Sequence, residues 1–213
     1  MDAECKLRVG NEQYVGKARI DDDYIDFVGP TKFRFRLSEI REPAFSAGAL
    51  RFEFHGNKIA INVGERTGRW YDSVVHPKSP AQKLGVRPGE SVRLVNIDDE
   101  SIILSLREAR VQMTTDRAGV FDHILLGVER PADLRQVSSL AETLPSQGIL
   151  WICIPKANRA VTQSNVIAAA RAVGLSDIKD VSLSETYQAH KLARPVIARR
   201  KGAAVKPRAS ATA

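Results

Sequence analysis

The chain has 213 residues and a formal net charge of +7, and 43% of it is hydrophobic and 27% charged. That is the composition of a folded globular chain rather than a disordered one. No apolar run approaches the roughly 20 residues that span a bilayer, and MDAECKLRVG lacks the charged-then-apolar pattern of a secretory leader. The two cysteines, Cys5 and Cys153, each sit inside an apolar run, which argues against a disulfide framework and fits a cytoplasmic setting.

From Cys5 to Val63 short alternating runs follow one another: KLRV, YVGKARI, YIDFVG, KFRFRL, ALRFEF and KIAINV. In KFRFRL the apolar Phe33, Phe35 and Leu37 oppose Lys32, Arg34 and Arg36. Period-two alternation predicts half-buried antiparallel strands. Turn-forming residues join them, among them Gly10–Asn11, Asp21–Asp23, Gly29–Pro30 and Gly56–Asn57. Six or seven short strands in about 60 residues predict a small barrel or bent sandwich. Residues 65–75, ERTGRWYDSVV, then read as a helix, with Trp70 and Val74 on one side. His76–Pro77 ends it, because the residue before proline avoids the helical region.

A run of small strands closed by a helix resembles the pleckstrin-homology-like barrel. That resemblance implies binding of phosphoinositides or peptides, with the Lys32, Arg34 and Arg36 row as the place to look; the same row also reads as a solvated outer face. Pro77–Pro80 reads as a connector.

The second part is organised around FDHILLGVERPADLRQVSSLAETLPSQGILWICIPK, residues 121–156. Ile124–Val128 and Ile149–Pro155 are apolar on both faces, as buried parallel strands are. Between them Leu134, Val137, Leu140 and Leu144 form one oily stripe, and Pro131 suits a first helical turn. Strand, helix, strand in this span predicts a right-handed βαβ unit. Around it fall a strand over 92–97, a helix over 100–109 and a short strand over 111–114. A helix over 162–173 follows, capped by Thr162 and closed by Gly174. Two last strands cover 178–183 and 187–193.

LGVRPGESVRLVN resembles the opening of class I methyltransferases, where a Pro-Gly turn and a first parallel strand precede the cofactor loop. Read together, residues 79–198 resemble a methyltransferase-like Rossmann domain that has lost helices. The blocks KSPAQKLGVRPGESV, FDHILLGVERPADL…SLAETLPSQGILWICIPK and AAARAVGLSDIKDVSLSETYQAHKLARP also look like a family of small bacterial proteins described only as a domain of unknown function. The expected fold class is therefore α/β: a small antiparallel barrel-like β domain over 1–76, then a reduced methyltransferase-like Rossmann domain over 79–198. Residues 199–213 carry five Lys/Arg and no acid and are expected to form a basic disordered tail. A nucleic-acid partner would act through that tail by charge alone, since it lacks stacking aromatics.

No chemistry-bearing motif accompanies the fold. The first strand-to-helix loop, Asn96-Ile97-Asp98-Asp99-Glu100, has no glycine, whereas a dinucleotide or S-adenosylmethionine site needs backbone to approach the cofactor closely. Three consecutive acids repel phosphates and suit a helix start instead. No nucleophile elbow is present. His55, His76, His123 and His190 lack metal-ligand spacing, and Asp122–His123 reads as the polar start of a strand. No catalytic residue, metal or cofactor is therefore expected. In open α/β sheets ligands bind outside the carboxyl ends of the strands; those ends supply Asn96, Asp98, Asp99, Glu129, Arg130 and Lys156 as candidate ligand-binding residues. The leading functional expectation is a non-catalytic binding or adaptor protein for an unknown protein or small molecule. The alternatives are a methyltransferase-type enzyme with an unusual cofactor loop, and a nucleic-acid binder.

Overall fold

The computed structural model describes residues 3–195; the segment expected as a basic disordered tail, 199–213, lies outside them. The described residues form two sheets, one antiparallel and one mixed, the second flanked by helices.

The first sheet holds β1 (Ala3–Val9), β2 (Glu12–Ile20), β3 (Tyr24–Val28), β4 (Lys32–Arg36), β5 (Arg41–Ser46), β6 (Ala49–Phe54) and β7 (Asn57–Asn62). Their order is β4-β3-β2-β1-β7-β6-β5, antiparallel throughout. The alternation read from the sequence sets which side faces in. Phe35 and Phe52 are buried while Lys32, Arg34, Arg36 and Arg51 are exposed. Four strands separate β4 from β6 in the sheet, yet the Phe35 ring meets those of Phe52 and Phe54 edge-on at 5.4 and 5.2 Å. The sheet is thus curled, with aromatic rings filling its concave side. Helix α1 (Thr67–Val75) packs against this core through Trp70, and Tyr71 lies 6.2 Å from Phe45.

Strand β5 is not among the alternating runs of the sequence. It is an almost wholly exposed edge strand with a register shift between Arg41 and Ala44, and Glu42 has φ +47°. Pro43 within it cannot donate to a ladder, which confines such a segment to an edge.

The second sheet holds β8 (Ser91–Val95), β9 (Gln112–Thr114), β10 (His123–Gly127), β11 (Ile149–Pro155), β12 (Ser176–Ser182) and β13 (Tyr187–Ala193). The order is β12-β13-β11-β10-β8-β9. Strands β9, β8, β10 and β11 are parallel, and β13 runs against both β11 and β12. Every residue of β10 is buried, because helices cover both faces. Helices α2 (Pro80–Leu84) and α3 (Glu100–Glu108) cover one face through Ala81, Leu84, Ile102 and Leu106. On the other, α4 (Gln136–Glu142) and α5 (Gln163–Ala172) bury Val137, Leu140, Val166 and Ala170 against Ile124, Leu126 and Ile152. Each buried Val, Leu or Ile among them contributes about 1.5–3 kcal/mol. This is a Rossmann-like α/β arrangement.

Local signals acted where the sequence placed them, with two adjustments. Thr162 caps α5 in a reciprocal box with Asn165, and Gly174 closes it at φ +73°. Ser79 and Pro80, read as part of the connector, instead start α2: Ser79 caps it and Pro80 occupies its first turn. The stripe read as one helix is split. Residues 131–135 form a 3-10 turn before α4, because the Asp133 carboxylate accepts from the Glu129 and Arg130 amides and tightens that first turn.

Candidate ligand site at the carboxyl ends of the strands

The loop after β8 has no glycine and reads in the sequence as a helix start; the structure corrects this, since the chain makes a left-handed turn before α3 begins. Asn96 takes φ +54°, a conformation that asparagine tolerates through its short polar side chain. Ile97, Asp98 and Asp99 then separate it from α3. The required glycine stands on the neighbouring strand. A Cβ on Gly127 would lie 1.9 Å from the Asn96 carbonyl oxygen, so the β8 loop folds over the end of β10 only because Gly127 has no side chain.

Asp99 caps α3. Its Oδ1 accepts from the Ser101 and Ile102 amides at 2.9 and 3.2 Å and from the Ser101 hydroxyl. Its Oδ2 accepts from the hydroxyls of Ser184 and Thr186 in the β12–β13 turn. Burial works to raise this carboxyl, but donation from Ser101, Thr186 and Ser184 outweighs it and holds the group at about 2. The turn between the last two strands therefore locks onto the first loop of the sheet.

Lys156, at the end of β11, points toward the first sheet. Its Nζ lies 2.5 Å from Asp23 Oδ2 and 2.6 Å from Ser182 Oγ, and the Ser182 hydroxyl also donates to Asp23. Burial opposes ionisation of Asp23, yet Lys156 and Ser182 together hold its pKa below the usual value. Asp23 belongs to the turn between β2 and β3, so that turn sits on the carboxyl ends of β11 and β12.

The remaining candidates divide. Asn96, Asp98 and Glu129 are exposed, and Asp98 and Glu129 converge electrostatically on Tyr187. Burial first, then Asp98, Glu129 and Asp99, push its phenol up. Tyr187, the first residue of β13, joins this group; the sequence reading missed it, since the first residue of a strand carries no local signal of what it faces. Arg130 is turned away onto Asp133 at 3.5 Å and does not join the group.

Between the two sheets lies a cleft of about 630 Å³. Its walls include Tyr24, Arg36, Lys83, Lys156, Arg159 and Ser184. Burial pulls the Lys83 ammonium below its ordinary pKa, against the attraction of Asp22 and Asp23. A second hollow of about 570 Å³ lies along β2–β4. There Asp26 takes up Arg34 at 2.5 Å and Arg19 at 3.4 Å. On the same strand Arg36 lies on the Tyr24 ring and pairs with Glu39. Two of the three basic residues of the β4 row, Arg34 and Arg36, are thus paired with nearby acids. The cleft, lying at the strand ends, is the better seat for a ligand.

Among the described residues no helix is long and apolar enough to cross a membrane. A family model described as "Protein of unknown function (DUF3052)" matches residues 81–196. No curated protein matches the chain. Among solved structures it is similar to a ribosomal protein L11 methylase from Lactobacillus delbrueckii subsp. bulgaricus, with 14% identity, 54% of this chain and 74% of that chain covered, and a TM-score of 0.37. It is similar also to magnesium protoporphyrin IX methyltransferase from Synechocystis PCC 6803, with 12% identity, coverage of 55% and 76%, and a TM-score of 0.39. A third is the fibrillarin pre-rRNA processing protein of Methanococcus jannaschii, with 8% identity, coverage of 88% and 97%, and a TM-score of 0.36.

Proposed function

The chain belongs to the family described as "Protein of unknown function (DUF3052)", and from that premise we propose that it is a non-catalytic binding or adaptor protein whose ligand seat is the cleft between its two sheets. In this reading residues 1–76 are a small pleckstrin-homology-like β domain and residues 79–198 a reduced methyltransferase-like Rossmann domain. The two meanders β1–β4 and β5–β7, joined through β1 and β7 in one curled sheet and followed by α1, support the first assignment. The reversed β13 lying between β11 and β12 supports the second.

One observation carries the non-catalytic reading. Two of the polar groups at the carboxyl ends of the strands, where open α/β sheets bind ligands, are taken up by the chain itself. Asp23 and Ser182 take up Lys156, and Ser184 and Thr186 take up Asp99. A nucleotide cofactor would have to displace these contacts and then settle beside Asp98 and Glu100. The cleft outside them mixes Arg36, Lys83 and Arg159 with Asp22 and Glu185, which suits a small polar ligand bearing an anionic group. The two free, buried cysteines support a cytoplasmic setting. Burial raises both thiols, Cys5 to about 12, so neither is poised as a nucleophile.

Thermal melting with S-adenosylmethionine or its demethylated product at ~1 mM tests this reading. No shift is expected, whereas a ligand at a hundred times its dissociation constant adds about 2.7 kcal/mol. The rival methyltransferase reading draws on the left-handed turn at Asn96, which shapes the loop without glycine. A saturable shift abolished by Asp98→Ala would favour it. Native mass spectrometry of the freshly purified protein would identify a retained small molecule. A nucleic-acid role through residues 199–213 rests on charge alone; salt-sensitive RNA or DNA retention lost on their deletion would support it.

A further inference from the structure

Strand β12 breaks register with β13 between Asp177 and Lys179. In a regular strand residues 177 and 180 face opposite ways. The irregularity turns Ile178 out to 56% exposure and brings both carboxylates to one face. Asp177 stands opposite Leu192, and Asp180 opposite His190. Leu192 belongs to the core under α4 and α5, so all three polar groups lie on the α5 side of the sheet. The hairpin's lysines, Lys179 and Lys191, pair on the other side, where Lys191 lies 5.7 Å over the Trp151 ring.

We infer that Asp177, Asp180 and His190 form a binding site for a divalent transition-metal ion, Zn²⁺ by the chemistry of its donors. One ligand atom from each lies within 4.8 Å of the others. His190 is 4% exposed, with Nδ1 2.8 Å from Asp180 Oδ1. A second observation points the same way: Asp177 Oδ1 is buried and has no hydrogen-bond partner. A buried carboxylate oxygen without a donor is costly, and a cation between the carboxylates removes that cost. An imidazole and two carboxylates fit Zn²⁺, which takes N and O ligands at roughly 2.0–2.2 Å, once Asp177 closes in and Asp180 opens from its hydrogen bond to His190 to admit the ion. Coordination uses the Nδ1 lone pair, so His190 binds as the tautomer protonated at Nε2. The Gln163 amide, now 3.4 Å from Asp180 Oδ2, is placed to orient that carboxylate from outside. Strand β12 is at the sheet edge, and the partly exposed Asp180 gives the ion its way in.

The test is calorimetric titration of the chelator-treated full-length protein with Zn²⁺, with Co²⁺ as a coloured probe. One saturable site is expected, weakened at least tenfold in Asp177→Asn, with a Co²⁺ absorption band that Zn²⁺ displaces and that His190→Gln loses. Circular dichroism checks that each variant is folded. Should Asp177→Asn not fold, Asp180→Asn, at the more exposed position, carries the same tenfold expectation. Failure of the wild type to bind either ion saturably, or undiminished binding by the folded aspartate variants, overturns the assignment. The outcome is independent of what the cleft binds, because the cleft walls do not include these three residues.

Discussion

The Lys156 ammonium lies 2.5 Å from the Asp23 carboxylate, a contact between groups 133 residues apart in the chain. It ties the β2–β3 turn of the first sheet to the end of β11 in the second. Both side chains are mostly buried, at 30% and 24% exposure, so solvent screens the pair less than an ordinary surface pair. Lys156→Met leaves a half-buried carboxylate without its cation. The expected loss is about 1–3 kcal/mol in urea unfolding. A double-mutant cycle with Asp23→Asn should show clear coupling, and strictly additive effects would mean that the contact does not hold the sheets together.

The cap on α3 gives a pH signature. The folded pKa of Asp99, about 2, lies below its ordinary 3.8. The folded protein therefore binds fewer protons than the unfolded chain in this range, and stability rises with pH through it. The contribution is fully present above about pH 4 and is lost as pH falls through about 2. Asp23 shifts in the same direction. Urea midpoints measured from pH 2 to 6 should show the wild type's advantage over Asp99→Asn shrinking toward acid. A gap independent of pH would refute this account.

Gly127→Ala should be among the most damaging small substitutions. The new methyl would meet the Asn96 carbonyl oxygen at 1.9 Å, a backbone atom that no rotamer change can move. A loss of about 3 kcal/mol or more is expected. Asn96→Ala, which keeps the left-handed backbone without the side chain that tolerates it, should cost about 1–2 kcal/mol. Thermal unfolding of the two variants measures both.

The curl of the first sheet is held by its aromatic core. Phe35→Ala removes a ring 3% exposed that bridges β4 and β6, and should cost about 3–5 kcal/mol. Phe45→Ala, at an edge position 49% exposed, should cost less than about 1 kcal/mol. Equal losses in chemical denaturation would show that β4 and β6 are not joined through Phe35.

What the chain reveals by itself is what depends on neighbours in sequence. Alternation in KFRFRL and ALRFEF, the two apolar runs around Leu134–Leu144, Thr162 as a cap and Gly174 as a stop each report a local preference. Together they were enough for an α/β reading with antiparallel strands ahead of a βαβ unit. Strand β5 escaped because an exposed edge strand containing Pro43 buries too little to need a pattern. The candidate site was legible only in part. Strand ends located Asn96, Asp98, Asp99, Glu129 and Lys156, but Arg130 turned to Asp133. The contacts of Asp23, Ser184, Thr186 and Tyr187 gave no local signal, because they arise from pairings many residues away. The same holds for Asp177, Asp180 and His190, which a one-residue irregularity in β12 brings to one face. Periodicity is a property of a segment's own backbone, so sequence carries it. Which carboxylate meets which ammonium or hydroxyl depends on how the sheets curl and dock, and only the tertiary structure decided that.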